Sequence, residues 1–275
     1  MKIGILGCGY VGLAAALRWK KEGHEVTATT RSPEKIPLLK ECAHDVHLLN
    51  THPFSSFIHN QEALLVSVAP DSPSEYSSTY LETARLVAKH MDQKAPLRHI
   101  LYTSSTSVYG NHEGNWVDEA TAISHEDENK RILFETEQLF LSCATPDLKI
   151  CIFRLGEIYG PGREIQGRLR RTSHHSFSGD GNSYTNLIHI DDIVKGLNFA
   201  LLHDLNGIYN LCSDFHIPRK EFYNELCQQE HLSPVRWDPM KLNPHGGNKR
   251  VSNQKMKDAG FMFDHPYFFN RSTKF

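Results

Sequence analysis

The chain opens with the stretch that decides its fold, Met1-Lys2-Ile3-Gly4-Ile5-Leu6-Gly7-Cys8-Gly9-Tyr10-Val11-Gly12. In this stretch a short apolar run ends at Leu6, and glycines follow at positions 7, 9 and 12 in the pattern G-x-G-x-x-G. Residues 13–17 then continue as an apolar helix, so the order is strand, glycine turn and helix. A dinucleotide pyrophosphate needs this order, because the helix N-terminus presents N–H groups and the positive end of its dipole. The stretch therefore predicts a dinucleotide-binding site.

The three glycines have separate tasks in this glycine turn (residues 7–12). Gly7 permits the tight turn, Gly9 lets the backbone approach the phosphates, and Gly12 lets the helix pack closely on the strand. Tyr10 and Val11 lie between the second and third glycines. We expect these five residues to contact the cofactor.

The end of the second predicted strand, residues 24–30, indicates which dinucleotide binds. In an NAD site an acidic residue near this point accepts a hydrogen bond from the ribose 2′-hydroxyl. This chain has Thr30-Arg31-Ser32 instead. An arginine flanked by two hydroxyls can hold a 2′-phosphate through charge-assisted hydrogen bonds. The sequence therefore favours NADP over NAD, and we expect Thr30, Arg31 and Ser32 to contact it.

Strands and helices alternate from residue 2 to residue 155. Further strands are predicted over residues 45–49, 63–68, 99–104 and 149–155. The run from Ala63 to Val68 is continuously apolar, as in strands buried on both faces of a parallel sheet. The alternation is typical of an α/β fold of the Rossmann type, with a doubly wound parallel sheet.

Residues at the ends of these strands complete the predicted cofactor site. Open α/β sheets bind their ligands at the carboxyl ends of their strands. Ala69 and Pro70 follow the strand of residues 63–68, Ser104 ends the next one, and Leu155 ends the last. We expect these four residues to line the cofactor.

The chain changes character near residue 160. A basic stretch and a turn-rich loop are followed by a helix over 191–202, a strand over 207–211 and a helix over 218–230. We expect an NAD(P)-binding Rossmann domain over 1–160 and a smaller α/β substrate lobe over 161–275. The lobe is expected to be interleaved with the first domain rather than fully independent.

The composition of the chain indicates which classes of binding partner and which cellular compartment to expect. The chain has 30 basic and 32 acidic residues, which gives no sign of a nucleic-acid partner. Its apolar runs are shorter than the roughly 20 residues that span a bilayer, so no membrane partner is expected. Six cysteines without a C-x-x-C pair fit free thiols in the cytoplasm. The 17 histidines include no second ligand pair at zinc spacing, so no metal site is predicted.

Several motifs together resemble the extended short-chain dehydrogenase/reductases, the NAD-dependent epimerase/dehydratase family. Beside the glycine turn, the resemblance rests on Ser104-Ser105-Thr106-Ser107-Val108-Tyr109-Gly110, on Arg154-Leu155-Gly156-Glu157-Ile158-Tyr159-Gly160-Pro161-Gly162-Arg163, on Ile188-His189-Ile190-Asp191-Asp192 and on Gly207-Ile208-Tyr209-Asn210-Leu211. They occur in the family's order over nearly the whole chain. The glycine turn is one residue tighter than the family's usual G-x-x-G-x-x-G, as in its atypical members.

The resemblance implies a catalytic serine or threonine with a tyrosine and a lysine four residues apart. Ser105 matches the serine position. The Tyr-x-x-x-Lys pair does not occur in this sequence, and no tyrosine lies between Tyr109 and Tyr159. The tyrosine normally carries the proton, because nearby positive charge lowers its pKa. Its absence makes the chain an atypical relative.

Two alignments of the missing pair remain open. Aligning on Lys130 places Glu126 at the tyrosine position, whereas aligning on Glu137 places Asn129 and Leu133 at the pair. Glu126 could replace the tyrosine only if burial raised its pKa. The catalytic candidates are therefore Ser105, Glu126 and Lys130.

The same motifs suggest a substrate site and two alternative functions. Thr106, Tyr159 and Arg163 are the candidates for substrate contact, since a guanidinium suits a sugar-nucleotide phosphate. The first hypothesis is an NADP-dependent oxidoreductase or epimerase that acts on a sugar nucleotide or another small carbonyl or hydroxyl substrate. The alternative is a catalytically inactive nucleotide-binding sensor or regulatory protein. A homodimer is left open.

Overall fold

The computed structural model describes residues 1–51, 53–91, 96–123, 127–172, 176–241 and 247–269. The strands are β1 (Lys2–Leu6), β2 (Glu25–Thr30), β3 (Asp45–Leu48), β4 (Ala63–Val66), β5 (His99–Ser105), β6 (Trp116–Val117), β7 (Lys149–Leu155), β8 (Glu157–Tyr159), β9 (Phe177–Ser178), β10 (Leu187–His189), β11 (Gly207–Leu211), β12 (Trp237–Asp238) and β13 (Arg250–Val251). The α-helices are α1 (Tyr10–Lys21), α2 (Ile36–Cys42), α3 (Phe54–Ile58), α4 (Glu82–Lys89), α5 (Glu128–Ser142), α6 (Ile165–Thr172), α7 (Ile190–Leu202), α8 (Arg219–Gln229) and α9 (Gln254–Asp258).

Seven strands form the central sheet, in the order β11-β7-β5-β4-β1-β2-β3. β1 pairs in parallel with β2 and β4, β2 with β3, and β4 with β5. Every residue of β4 is at most 1% exposed, as expected for a continuously apolar strand with both faces covered. The sheet confirms the predicted Rossmann-type α/β fold.

The core on one side of this sheet brings together strand and helix residues. Val66 of β4 and Tyr102 of β5 belong to it, together with Ala84 and Val87 of α4 and Phe140 of α5. The rings of Tyr102 and Phe140 have centroids 4.8 Å apart. The helix α5 therefore buries its apolar face on the sheet.

β11 is a correction to the prediction. Its sequence, Gly207 to Leu211, predicted a strand of the smaller lobe. In the structure the strand lies at the edge of the central sheet, beside β7. An apolar alternating run specifies a strand but not its pairing partner, which depends on long-range packing.

The structure divides into two compact units, each made of three chain segments. The first unit contains residues 1–105, 125–154 and 193–209, and the second contains residues 106–124, 155–192 and 210–275. These segments differ from the predicted boundary at residue 160, which assigned 193–209 to the second unit and 106–124 to the first. The physical reason is that residues 193–209 end in the edge strand of the central sheet.

The second unit has three short parallel ladders, which pair β10 with β8, β12 with β9 and β13 with β6. Its core is rich in aromatic residues, among them Phe215, Phe222, Tyr223 and Phe269. The basic stretch after residue 160 contains α6, a helix that the sequence reading missed. Within the described ranges, no helix is long and apolar enough to cross a membrane.

Candidate functional site

The glycine turn adopts a geometry that only glycine satisfies at two of its positions. Gly7 has φ +89°, and a Cβ there would lie 2.7 Å from the backbone nitrogen of Val68. A Cβ on Gly12 would lie 2.6 Å from the carbonyl oxygen of Gly7. Both distances are shorter than van der Waals contact. The tight turn and the close packing of α1 on β1 therefore require the first and third glycines.

Gly9 differs from its neighbours because the space beside it is open. A Cβ on Gly9 would meet no atom within 4 Å. Gly9 is also the N-cap of α1, and its carbonyl oxygen accepts the N–H of Leu13 at 2.8 Å. The first turn of α1 carries no acidic side chain. The positive end of the helix dipole thus faces a space that an anion can approach.

Two hydroxyl groups hold the glycine turn in place, and the sequence reading missed both. Ser67 donates from Oγ to the carbonyl oxygen of Gly7 at 2.7 Å. Thr29 accepts the N–H of Gly7 at Oγ1, at 3.3 Å. Both residues stand at the ends of strands that flank β1. The only sign of these two contacts in the sequence was a hydroxyl residue near the end of each strand.

Cys8, the residue between the first two glycines, is a poor candidate for a nucleophile. Burial raises the pKa of the Cys8 thiol to about 12, and the neighbouring Cys42 adds to this effect. The thiol is therefore protonated at neutral pH, and a protonated thiol is unreactive.

The end of β2 presents Arg31 on a fixed turn. Thr30 is buried, and its Oγ1 accepts the backbone N–H of Ser32 at 3.0 Å. Asn50 donates from Nδ2 to the carbonyl oxygen of Arg31 at 3.2 Å. The Arg31 side chain itself is exposed. The Thr30 hydroxyl thus serves the turn, and the guanidinium remains on the surface.

The register of the sheet aligns the predicted strand-end residues of the first unit. Leu6 of β1 pairs with Val66 of β4, and Val66 pairs with Tyr102 of β5. The segments 7–12 and 67–70 therefore leave the sheet at the same edge, where β5 continues to Ser105. Ala69, Pro70, Ser104 and Ser105 lie at this edge, as predicted for a site at the carboxyl ends of the strands.

Ser104 belongs to a buried network below this edge. Its hydroxyl donates to Oε1 of Glu137 at 2.6 Å. Arg154 donates to the same carboxylate, with Nη2 2.7 Å from Oε2 and Nε 3.1 Å from Oε1. Glu137 is 0% and Arg154 2% exposed. The Ser104 side chain therefore serves the fold, and the cofactor contact at this position stays a prediction.

Two of the three catalytic candidates, Ser105 and Lys130, lie in the described part of the chain. Ser105 ends β5 and is partly buried. Lys130 lies in the first turn of α5, with Nζ 3.5 Å from Oδ2 of Asp127, whose Oδ1 caps the helix by accepting the Lys130 N–H at 3.0 Å. Glu126 lies outside the described residues. Leu133 is buried in α5, and Glu137 is bound to Arg154.

In the second unit, Tyr159 packs among aromatic rings. Its ring centroid is 5.0 Å from that of His189 and 4.9 Å from that of Phe268. Burial, aided by the charge of Asp192, raises the pKa of Tyr159 to about 12. The phenol therefore keeps its proton at neutral pH, which suits a hydrogen-bond donor rather than a base.

The other predicted residues of the second unit differ in exposure. Thr106 is buried at the start of a 3₁₀ segment, and Leu155 is buried at the end of β7. Arg163 is exposed on the loop before α6, and its N–H donates to the carbonyl oxygen of Gly160 at 2.9 Å. Two neighbouring arginines of α6 are used in ion pairs, Arg168 with Glu157 and Arg170 with Glu230.

Known proteins resemble this chain over nearly its full length. Protein YeeZ of Escherichia coli K12 is 26% identical over 279 residues, which cover 96% of this chain and 96% of that protein. The structure of a functionally unknown conserved protein from Silicibacter pomeroyi is 25% identical, with a TM-score of 0.78. It covers 97% of this chain and 94% of its own.

Two more distant structures share the fold and contain bound nucleotides. MoeE5 in complex with UDP-glucose and NAD is 19% identical, with a TM-score of 0.78 over 95% of this chain and 93% of its own. The human epimerase family protein SDR39U1 with NADPH is 17% identical, with a TM-score of 0.76 over 97% of this chain and 96% of its own. At these identities the likeness establishes the fold alone.

The family is established by a match to the sequence itself. The model of the NAD dependent epimerase/dehydratase family matches residues 3–212, which is more than half of the chain. The matched range contains the glycine turn, the end of β5 with Ser104 and Ser105, and β8 with Tyr159. This chain belongs to the NAD dependent epimerase/dehydratase family.

Proposed function

We propose that this protein binds NADP(H) at the glycine turn and acts as an oxidoreductase or epimerase on a sugar nucleotide or another small carbonyl or hydroxyl compound. The observation that carries the proposal is the geometry of the turn. A Cβ at Gly7 or Gly12 would lie too close to neighbouring backbone atoms, so both positions require glycine. The space beside Gly9, at the N-terminus of α1, is open. A pyrophosphate needs both the close backbone and the open space.

The predicted cofactor residues each contact a different part of the dinucleotide in this proposal. Gly7, Gly9, Tyr10, Val11 and Gly12 hold the pyrophosphate. The segments at the same edge of the sheet, with Ala69, Pro70 and the backbone of Ser104, line the remainder, and Leu155 at the end of β7 is the last contact. When bound, the nicotinamide supplies hydride exchange with a carbon of the substrate.

The preference for NADP over NAD rests on Arg31. Its guanidinium is exposed at the end of β2, on a turn fixed by Thr30 and Ser32. A guanidinium binds a 2′-phosphate strongly, and the sequence has no carboxylate at this point to accept from a 2′-hydroxyl. Structures with this fold contain either cofactor, NADPH in human SDR39U1 and NAD in MoeE5.

We assign the substrate contacts to the catalytic candidates and to a second group of residues. Ser105 donates a hydrogen bond to the substrate oxygen, and Lys130 places positive charge near it. Thr106, Tyr159 and Arg163 are the other proposed substrate contacts, because the protonated phenol of Tyr159 can donate a hydrogen bond and the exposed guanidinium of Arg163 suits a phosphate. MoeE5, which shares the fold, is a complex with UDP-glucose.

A second function is supported by one specific observation, the missing Tyr-x-x-x-Lys pair. A serine hydroxyl donates to a carbonyl but does not readily carry a proton in and out. Glu126 is the proposed substitute in the enzyme hypothesis. Without a substitute, the chain would be a sensor or regulatory protein that responds to NADP(H) and turns over no substrate.

Titration of the purified protein with NADPH and NADH, followed by nicotinamide fluorescence, tests the cofactor proposal. We expect NADPH to bind more tightly, and equal or absent binding of the two would contradict the proposal. A screen of sugar nucleotides and small carbonyl compounds for NADPH oxidation then separates the two functions. Turnover that falls in Ser105→Ala and Glu126→Gln supports the enzyme, whereas tight NADPH binding without turnover supports the sensor.

The six cysteines also bear on where the protein works. None of the six, all of which lie in the described part of the chain, forms a disulfide, and Cys151 and Cys212 are 0% exposed. Free thiols persist in a reducing compartment. We place the protein in the cytoplasm on this ground, and mapping of thiols in protein isolated under alkylation tests the assignment.

A further inference from the structure

Three potential metal ligands converge in the second unit, where β10 meets α7. His189 ends β10, Asp191 lies in the first turn of α7, and His265 comes from the C-terminal segment. One ligand atom of each side chain lies within 4.8 Å of the other two. Oδ2 of Asp191 is 3.4 Å from Nδ1 of His189 and 3.4 Å from Nε2 of His265. The carboxylate thus contacts one nitrogen of each imidazole.

The third ligand is held in place by a buried carboxylate beside the cluster. Asp192 is 0% exposed and accepts two backbone N–H groups of the C-terminal segment. Its Oδ1 is 2.7 Å from the nitrogen of Asp264, and its Oδ2 is 3.0 Å from the nitrogen of His265. These bonds fix the backbone of His265 against the start of α7. The two imidazoles then stack, with centroids 3.8 Å apart and planes inclined by 35°.

The distances match the spacing of ligands around a small divalent ion. Zinc binds imidazole nitrogen at about 2.0–2.1 Å and carboxylate oxygen at about 2.0–2.2 Å, so neighbouring ligand atoms in a tetrahedral site lie about 3.3–3.5 Å apart. Both separations of 3.4 Å fall in this range. The Asp191 N–H donates to Nδ1 of His189 at 3.2 Å, so this nitrogen is unprotonated and carries a lone pair, and a metal ion bound there would replace the N–H as its partner.

We propose that His189, Asp191 and His265 form a binding site for a divalent transition-metal ion, with Zn²⁺ as the best match. Two imidazoles and one carboxylate suit zinc and its neighbours in the Irving–Williams series, whereas Mg²⁺ and Ca²⁺ prefer oxygen ligands alone. Zinc sites with three protein ligands keep a position for water or a substrate oxygen. The partial exposure of the cluster, 12%, 64% and 39% for the three side chains in chain order, leaves room for that fourth ligand.

The site would tie two distant parts of the second unit together. His189 and Asp191 belong to the β10–α7 junction, and His265 lies more than seventy residues later. A bound ion therefore stabilises the packing of the C-terminal segment that Asp192 already anchors. It also places a positive charge beside the ring of Tyr159, which packs on His189. The proposal is independent of the cofactor function.

The test uses the full chain, freed of metal by dialysis against a chelator. Zinc binding is measured by competition with a chromophoric chelator, and bound metal is counted per chain after gel filtration. We expect one Zn²⁺ per chain. His265→Ala and Asp191→Asn should each weaken binding at least about tenfold, since even loss of an outer-sphere partner of a metal ligand weakens affinity by about 10–100-fold.

A matched control separates this site from the other histidines. His231→Asn removes an exposed imidazole from the same unit, and asparagine tolerates the positive φ of 54° at this position. We expect the control to bind zinc like the wild type. Zinc should also raise the thermal midpoint of the wild type and of the control, but not that of His265→Ala.

Two results would overturn the proposal. One is a stoichiometry near zero in the wild type at micromolar free zinc. The other is equal affinity in the wild type, His265→Ala and Asp191→Asn, which would assign the binding to other histidines. Circular dichroism of each variant confirms that it is folded, and if His265→Ala unfolds, the exposed Asp191→Asn decides the result.

Discussion

The carboxylate of Glu137 on α5 and the guanidinium of Arg154 on β7 form an ion pair that is almost completely buried, with Nη2 2.7 Å from Oε2. Ser104 donates to the same carboxylate at 2.6 Å. The network joins α5, β5 and β7 at the edge of the sheet where the ligand is expected. A buried pair of this kind is costly to break, because the remaining partner is left charged and desolvated.

Glu137→Gln should therefore destabilise the protein by about 3–5 kcal/mol, measured as the free energy of unfolding in urea. The matched control is Glu135→Gln on the same helix, whose exposed pair with Arg131 at 3.0 Å is worth less than about 1 kcal/mol. Similar losses in the two variants would contradict the structural role of the buried pair.

Gly9→Asp should separate cofactor binding from folding. A side chain at Gly9 meets no atom within 4 Å, and aspartate is favoured over glycine at an N-cap, so the thermal midpoint should stay the same or rise. The carboxylate would repel a pyrophosphate, and we expect the affinity for NADPH to fall at least about tenfold. Asn60→Asp adds the same charge at an exposed position of the first unit and should bind NADPH normally. Normal binding by the Gly9 variant would remove the glycine turn from the cofactor site.

Arg31→Ala tests the choice between NADP and NAD. Loss of charge-assisted bonds to a 2′-phosphate costs about 1.5–3 kcal/mol, which corresponds to a loss of about ten- to a hundredfold in NADPH affinity. NADH lacks this phosphate, so its affinity should not change. Lys40→Ala removes an exposed positive charge from α2 and serves as the control. Fluorescence titration measures the affinities of both variants for NADPH and for NADH. A parallel loss for both cofactors in Arg31→Ala would refute the assignment.

The buried imidazole of His99 should make stability depend on pH. His99 is 4% exposed, and its Nε2 lies 2.9 Å from the carbonyl oxygen of Leu205. Burial lowers its pKa below the ordinary value of 6.5, although the bond to Leu205 and the charge of Asp204 oppose this effect. The folded state therefore takes up the proton less readily than the unfolded chain. The contribution of neutral His99 to the free energy of unfolding is complete above about pH 6.5. It is lost as the pH falls through the folded-state pKa of His99.

Urea unfolding of the wild type and of His99→Gln between pH 8 and pH 5 measures this contribution. Glutamine retains an N–H donor for Leu205 but does not titrate. The difference in the free energy of unfolding between wild type and variant should shrink on acidification, because only the wild type loses the contribution of neutral His99. The other histidines titrate in both proteins alike and do not affect the difference. A difference that is constant over this range would show that His99 does not contribute to the pH dependence.

The sequence predicted the parts of this structure that depend on local pattern. The apolar run before Gly7 and the apolar spacing of α5 specify their elements through short-range rules, and the structure confirms the fold class that follows from them. Glycine positions also carry their own signal, because a positive φ at Gly7 and the contact at Gly12 exclude other residues.

The remainder depends on contacts between residues that are distant in sequence. Glu137 and Arg154 meet only because α5 packs beside β7, and neither residue has a neighbour that signals the pair. His265 meets His189 because the C-terminal segment returns to the start of α7, so spacing rules for metal ligands could not find the cluster. Local periodicity likewise predicted β11 as a strand but could not assign it to the central sheet.

The strand β11 is synthesised long after β7, its neighbour in the central sheet. β7 lies between β5 and β11 in the finished sheet, but β11 begins only at Gly207, more than fifty residues after Leu155. A ribosome makes the chain from its N-terminus, so β7 has an open edge while those residues are being added. An open strand edge invites pairing with other chains. The edge of β7 is therefore exposed to pairing with other chains until residue 211 has emerged.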